Sequence, residues 1–457
     1  LNIVIVGAGD VGYTIAKNLS AEGYDIVVIE QNPELAKKVE NELDVRVVTG
    51  NGSRPAVLEK AGITEPCSIE YLIACADRDE VNLMACWQAK QCGVKRVISR
   101  AKAVEYEENP HLSQALGIDG IITPERSVAR DVMEMLWINA AVHTSELMEG
   151  KAGSYAFKVT RESAAAGKSL REIGAQYPDL PFVIVYIEHD GTGQIPSGDW
   201  VLEEGNLCYI ITFKEYVLEI QRLFFQEQKR RKHMRRLMVV GGSKVGIQVI
   251  RLLGEYHPGV EIKLIDKDHE RCAQIAADFP SLTVLHGDGT DEKLLKYEGI
   301  EITDGFLAAT EDEELNMILA ILAKNFGAGK CISFVQKEVY TKLMHQLPID
   351  ALVNPNESLA SMILRLVRYP ETAGSLSLIG RIGAEILEAE LPEDSPAVGK
   401  TLAELDLPKG VLFAMVSRQG EILMPKGDLM LQKHDVVLIF AMDERMNKAL
   451  KTLGILQ

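Results

Sequence analysis

From its first residues the chain alternates short apolar runs with longer stretches whose apolar positions recur at helical spacing. A strand over Asn2–Val6 is followed by a helix over Val11–Ala21, a strand over Asp25–Ile29, a helix after Pro33, and strands over Val45–Val48 and Tyr71–Cys75. A helix over Glu80–Gln91 and a strand over Arg96–Ser99 continue the pattern. Wholly apolar strands separated by helices belong to a parallel sheet covered on both faces, so the pattern predicts a doubly wound α/β domain. From about Tyr155 the texture changes. Short strands at Pro181–Glu188 and Leu207–Thr212 flank a turn at His189–Gly193, which predicts a small α+β module.

The order then starts again. Asn2–Gly12 (NIVIVGAGDVG) matches Arg236–Gly246 (RLMVVGGSKVG), with Gly7 on Gly241 and Gly12 on Gly246, an offset of 234 residues. Thr49–Ser53 (TGNGS) matches His286–Thr290 (HGDGT), and Asp79–Asn82 (DEVN) matches Glu313–Asn316 (EELN). A second small module follows, with strands at Val411–Ser417 and Val436–Phe440 around a turn at Gly420. A long internal repeat fixes the architecture: two tandem Rossmann-like parallel-sheet domains (1–142 and 237–372), each followed by a small α+β module (143–228 and 373–457), with a basic linker at 229–236. Two connectors stand out. Thr123-Pro124-Glu125 opens a helix with apolar Val128, Val132, Met135 and Leu136, readable as a core helix or as one swapped between the paired α/β domains. Lys229–Arg236 (KRRKHMRR) carries six cations in eight residues, readable as a solvated linker or as a contact for an acidic surface or lipid headgroups.

Composition narrows the class. A chain of 457 residues is too long for one ordinary core. With 66 acidic against 49 basic residues the net charge is -17, which argues against nucleic acid as a partner. The apolar runs are far shorter than the roughly 20 residues a bilayer span needs, and the first residues run straight into a strand without an export pattern. Seven cysteines, an odd number without a C-x-x-C pair, suggest neither a disulfide framework nor a zinc knuckle and fit a reducing cytoplasm.

Candidate chemistry centres on Gly7-Ala8-Gly9-Asp10-Val11-Gly12, which follows a strand and opens a helix. In that setting the first glycine allows the tight turn, the second admits a pyrophosphate against backbone, and the third lets helix and strand pack closely. Glu30, at the end of the second strand, stands where a carboxylate binds the ribose hydroxyls of NAD. Other strand ends at the same mouth bring Asn51, Gly52 and Ser53, readable as ligand contacts or as a simple turn, then Ala76 and Asp77, then the cations Arg100 and Lys102. The second copy keeps Gly241, Gly246 and the acid Asp266, and carries Lys244, Val245 and Asp288. It has Ser243 in place of the middle glycine, and Phe334 and Gln336 in place of the two cations. It therefore reads as a weaker nucleotide site, a different one, or none.

The chain resembles the TrkA family, the cytoplasmic regulatory proteins of bacterial and archaeal Trk potassium-uptake systems, which are built from two tandem RCK (KTN) units. The resemblance rests on Val4–Gly12, Val47–Ser53, Asp79–Asn82, Asn316–Lys324, Gly167-Lys168-Ser169-Leu170 and Gly399-Lys400-Thr401-Leu402, and it covers essentially the whole chain. It implies a regulator without catalytic activity, peripheral to the inner face of the membrane. Such a regulator binds NAD(H) and ATP or ADP, forms a homo-oligomer (dimer or tetramer), and docks on an integral-membrane potassium-translocating Trk subunit. The helix after Pro124 would be the family's crossover helix. The competing reading, an NAD-dependent dehydrogenase with a duplicated nucleotide domain, lacks a histidine or lysine in an evident catalytic setting.

Overall fold

The computed structural model describes residues 2–107, 109–138, 140–189, 192–224, 234–337, 339–340, 347–368, 376–379, 384–442 and 445–455. Of the basic run, residues 229–233 lie outside the described residues, and Arg236, assigned to the linker, is instead the first residue of a strand. The first sheet contains β1 (Asn2–Val6), β2 (Asp25–Glu30), β3 (Arg46–Thr49), β4 (Tyr71–Ala74), β5 (Arg96–Arg100) and β6 (Gly120–Ile122) in the order β3-β2-β1-β4-β5-β6, all parallel. The strands pair in register, so every carboxyl end opens at one edge and the loops that follow converge there.

A five-stranded antiparallel sheet follows: β7 (Ala141–Leu147), β8 (Ala152–Lys158), β9 (Phe182–His189), β10 (Thr192–Gln194) and β11 (Leu207–Phe213), ordered β10-β9-β11-β8-β7. The domain boundary expected at 142 therefore falls just inside β7. The second half repeats both. Its large sheet is β12 (Arg236–Val240), β13 (Glu261–Asp266), β14 (Thr283–His286), β15 (Gly305–Ala308), β16 (Lys330–Phe334) and β17 (Ala351–Val353), in the order β14-β13-β12-β15-β16-β17. Its small sheet is β18 (Leu376–Ile379), β19 (Ala384–Glu390), β20 (Val411–Arg418), β21 (Glu421–Leu423) and β22 (Val436–Met442), ordered β18-β19-β22-β20-β21, the same connectivity as the first. In both modules the G-K-S/T-L segment has a local cause. Gly167 and Gly399 turn with φ of 74° and 82°, and Ser169 and Thr401 each close a capping box with Glu172 and Glu404.

The two halves exchange helices. The helix Pro124–Trp137 leaves the first sheet and buries Val128, Val132, Met135 and Leu136 among Leu237, Val239, Val249 and Leu253 of the second large domain. Helix Pro355–Arg368 does the reverse, placing Leu359, Ile363 and Val367 against Ile3, Ile5, Ile15 and Leu19 of the first. Both readings of the Pro124 helix are thus met, because its stripe is core, but the core belongs to the other half. Fully burying each such side chain stabilises by about 1.5 to 3 kcal/mol, so the exchange holds the two large domains together. The two small sheets also share a core, with Ala156, Val185 and Tyr209 of the first against Ile386, Met415 and Phe440 of the second. Among the described residues no helix is long and apolar enough to cross a membrane.

Candidate functional site

At the carboxyl edge of the first sheet, Gly7 turns with φ of 97°, and a Cβ there would lie 2.7 Å from the Ala76 nitrogen. Any side chain at Gly12 would run into the Gly7 carbonyl. These two glycines are therefore fixed by packing within the domain. Gly9 differs: a Cβ there would meet nothing within 4 Å. It is the N-cap of the helix Asp10–Ala21, which has no side-chain cap, so its first-turn N–H groups have no intrahelical acceptor and face the mouth as an anion site.

Both oxygens of Glu30 accept backbone N–H groups, Oε2 from Ala8 at 2.6 Å and Oε1 from Asn32 at 2.7 Å. The acid thus pins the glycine loop, and its remaining lone pairs stay available to a ribose diol. Asn51 and Ser53 form a turn: Asn51 Oδ1 accepts from the Ser53 N–H at 2.9 Å and from its hydroxyl at 2.8 Å. The repeated D-E-V-N motif is a clamp. Asn82, wholly buried, accepts from the Ala76 N–H at 2.8 Å and donates to the carbonyls of Ala76 and Arg100, tying the ends of β4 and β5 together. Asp79 accepts from the N–H groups of Lys102 and Ala103. Lys102 Nζ pairs with Asp77 and holds that carboxyl below its ordinary range. Arg100 Nε is buried without a partner, as are Thr123 Oγ1 and Glu125 Oε2 on the adjoining strand end and helix start. Of these, Arg100 and Glu125 line the cleft at this edge. Burial pushes the Glu125 carboxyl up, with Arg100 and Lys244 opposing the shift.

These groups surround a cleft of about 710 Å³. Gly7, Gly9, Asp10, Val11, Glu30, Asn51, Gly52, Ala76, Asp77, Arg100 and Lys102 line it, whereas Ala8, Gly12 and Ser53 serve from behind. The other half completes it with Val245, Gln336, Pro355 and Asn356, and Asn356 Nδ2 stands 3.5 Å from Asp10 Oδ2. Two residues expected at the second mouth also act on the first. Val245 lines the first cleft, and the Lys244 charge acts on Asp77 and Glu125. Sequence reasoning also missed Leu35, an exposed apolar side chain on the cleft wall, and Glu125. The signal for Leu35 was its place on the first turn of the helix that follows the second strand.

The second mouth keeps the scaffold. Gly241 turns with φ of 98°, Asp266 accepts from the Gly242 and Asp268 N–H groups at 2.7 and 2.8 Å, and Asn316 clamps Thr310 and Phe334 as Asn82 does its partners. Its ligand-facing atoms are engaged. Ser243 caps its own helix by accepting from the Gly246 N–H at 3.3 Å. Arg271, at the position of Leu35, lies 3.8 Å from Asp266 and 3.3 Å from Glu311. Asp288 forms the turn with Thr290 that Asn51 forms with Ser53, but carries a charge that those hydrogen bonds hold on it.

The TrkA-N domain model matches residues 3–124 and again 237–355, and the TrkA-C domain model matches 386–454. The chain belongs to the TrkA family. Among its relatives, the Trk system potassium uptake protein TrkA of Azorhizobium caulinodans is 31% identical over 447 residues, covering 97% of this chain and 96% of that protein. TrkA homolog 1 of Methanosarcina mazei is 32% identical over 450 residues, 97% of each. In architecture the chain resembles the GsuK RCK domain (TM-score 0.65, 18% identity, 99% of this chain and 95% of that one). It also resembles the GsuK channel bound to NAD (0.62, 19%, 99% and 79%). At such identities the likeness establishes the fold, a tandem RCK arrangement.

Proposed function

We propose that this TrkA-family chain is the regulatory subunit of a Trk-type potassium transporter, binding NAD(H) and ATP or ADP in the first cleft and acting by binding alone. The observation that carries the reading is the uncapped helix N-terminus at Gly9, opening into a cleft walled by both halves. A ligand there touches both halves, so it favours whichever mutual arrangement fits it. The glycine loop takes the pyrophosphate, Glu30 the ribose hydroxyls and Leu35 one face of the adenine. Arg100, Lys102 and Lys244 supply charge for a terminal phosphate, which is the basis for telling ATP from ADP. The partner is an integral-membrane potassium-translocating subunit, and the chain works as a homo-oligomer at the inner face of the membrane. The GsuK channel has been solved with NAD and with ADP; for this chain both ligands are our inference.

The test is potassium flux through the reconstituted membrane subunit with this protein under ATP, ADP, NADH and a non-hydrolysable ATP analogue. Flux that follows the analogue as it follows ATP supports control by binding. Flux that answers ATP but never the analogue requires hydrolysis and sinks the reading.

A further inference from the structure

Lys330, at the start of β16 in the second half, is 5% exposed. Its Nζ donates to three main-chain carbonyls of the first half, those of Met135, Ile138 (2.9 Å) and Ala141. These lie in the last turn of the crossover helix Pro124–Trp137, just beyond it, and at the first residue of β7. Carbonyls at a helix C-terminus lack intrahelical donors, and the helix dipole favours a cation there. Burial pulls Lys330 down to about 7; in its ammonium form the three N–H donors match these three acceptors. The acid nearest in effect, Asp350, is itself occupied by Lys324 Nζ at 2.6 Å and the Cys331 N–H at 2.7 Å. Lys330 therefore forms no carboxylate hydrogen bond, and its whole bonding capacity goes to the backbone of the other half.

The same helix end has two further ties. Trp137 stacks on His257 of the second half, with ring centroids 3.7 Å apart, and Glu134 accepts from Lys214 of the first small module at 2.7 Å. Its other end carries Glu125, buried in the first cleft with one oxygen unpaired. We propose that Lys330 is a positioning residue: it anchors the end of the first crossover helix to the second half, so that ligand-driven displacement at Glu125 is passed along that helix to the first strand of the first small module. Burying a cation away from a counter-charge costs stability that an apolar side chain of similar size would avoid. The lysine is thus better explained by the position it enforces than by the stability it adds.

The proposal rests on the nucleotide reading of the first cleft, and one experiment separates the two. Hydrogen exchange of amides 138–147 is followed in the full chain with and without NADH, beside NADH affinity, in wild type, Lys330→Met and Lys330→Gln. The wild type should show a several-fold, ligand-dependent change in exchange. Both variants should bind NADH within about three-fold of wild type yet lose most of that change, a split between affinity and response. A wild-type response that persists in both variants overturns the role of Lys330, as does loss of folding in both, which would make the lysine structural only. Absence of any response in the wild type instead overturns the nucleotide reading beneath it.

Discussion

The two glycine-loop mouths share a scaffold and differ at the atoms that would meet a ligand. Glu30 and Asp266 pin their loops alike, Asn82 and Asn316 clamp the same strand ends, and Gly7 and Gly241 make the same turn. Against that background Gly9 becomes Ser243, Leu35 becomes Arg271, Asn51 becomes Asp288, and Arg100 and Lys102 become Phe334 and Gln336. The repeat thus separates what the fold needs, which both copies keep, from the residues we propose for the ligand, which differ between the copies. The exchange of crossover helices sharpens the contrast, because the second half contributes Val245, Asn356 and the charge of Lys244 to the first half's cleft.

The comparison breaks most sharply at its glycines. Gly9→Val should abolish NADH and ATP binding, a loss of more than about 100-fold, while leaving thermal stability within about 1 kcal/mol, since a Cβ there meets nothing within 4 Å. Gly12→Val should instead unfold the first domain, because its Cβ has nowhere to go. Circular dichroism melts beside fluorescence titration distinguish the two, and equal stability losses in both variants would refute the division of roles.

Next come the cations. Arg100→Ala should cost about 1.5 to 3 kcal/mol of ATP affinity, a charged hydrogen bond lost at a buried site. Lys102→Ala should cost less, because Lys102 already has Asp77. Lys244→Ala should weaken ATP binding in the first cleft although the residue lies in the second half, and an unchanged affinity would remove the trans contribution. Conversely, Ser243→Gly with Arg271→Leu should uncover a second, weak NADH site. Helix Lys244–Tyr256 would lose only about 0.3 kcal/mol, because glycine is itself a tolerable N-cap.

The smallest effect is on pH. Glu125 is raised by burial, and phosphate charge beside it raises it further, so the complex holds the proton more tightly than the free protein. ATP affinity should therefore strengthen as pH falls through the Glu125 range, with proton uptake on binding. Glu125→Gln should flatten that profile, and a profile unchanged in this variant would assign it to another group.

Strands, helices, the repeat and the glycine loop were legible because apolar periodicity and turn chemistry are local properties. The exchange of helices was only half legible. The stripe Val128, Val132, Met135 and Leu136 states that a surface is covered but not whose. Asn51 and Ser53 could not be told from ligand contacts in sequence, since the same side chains serve a turn. The reach of Lys244 to the first cleft was not legible, because chain position names its half while the fold brings its charge near Asp77 and Glu125 of the other. Lys330 gave no signal at all, since nothing near it in sequence reveals three carbonyls about 190 residues away.

The central claim, that one composite cleft serves the chain, is tested most directly by calorimetric titration of the full-length protein with NADH. One tight site per chain is expected, and two equal sites per chain would contradict a single composite cleft.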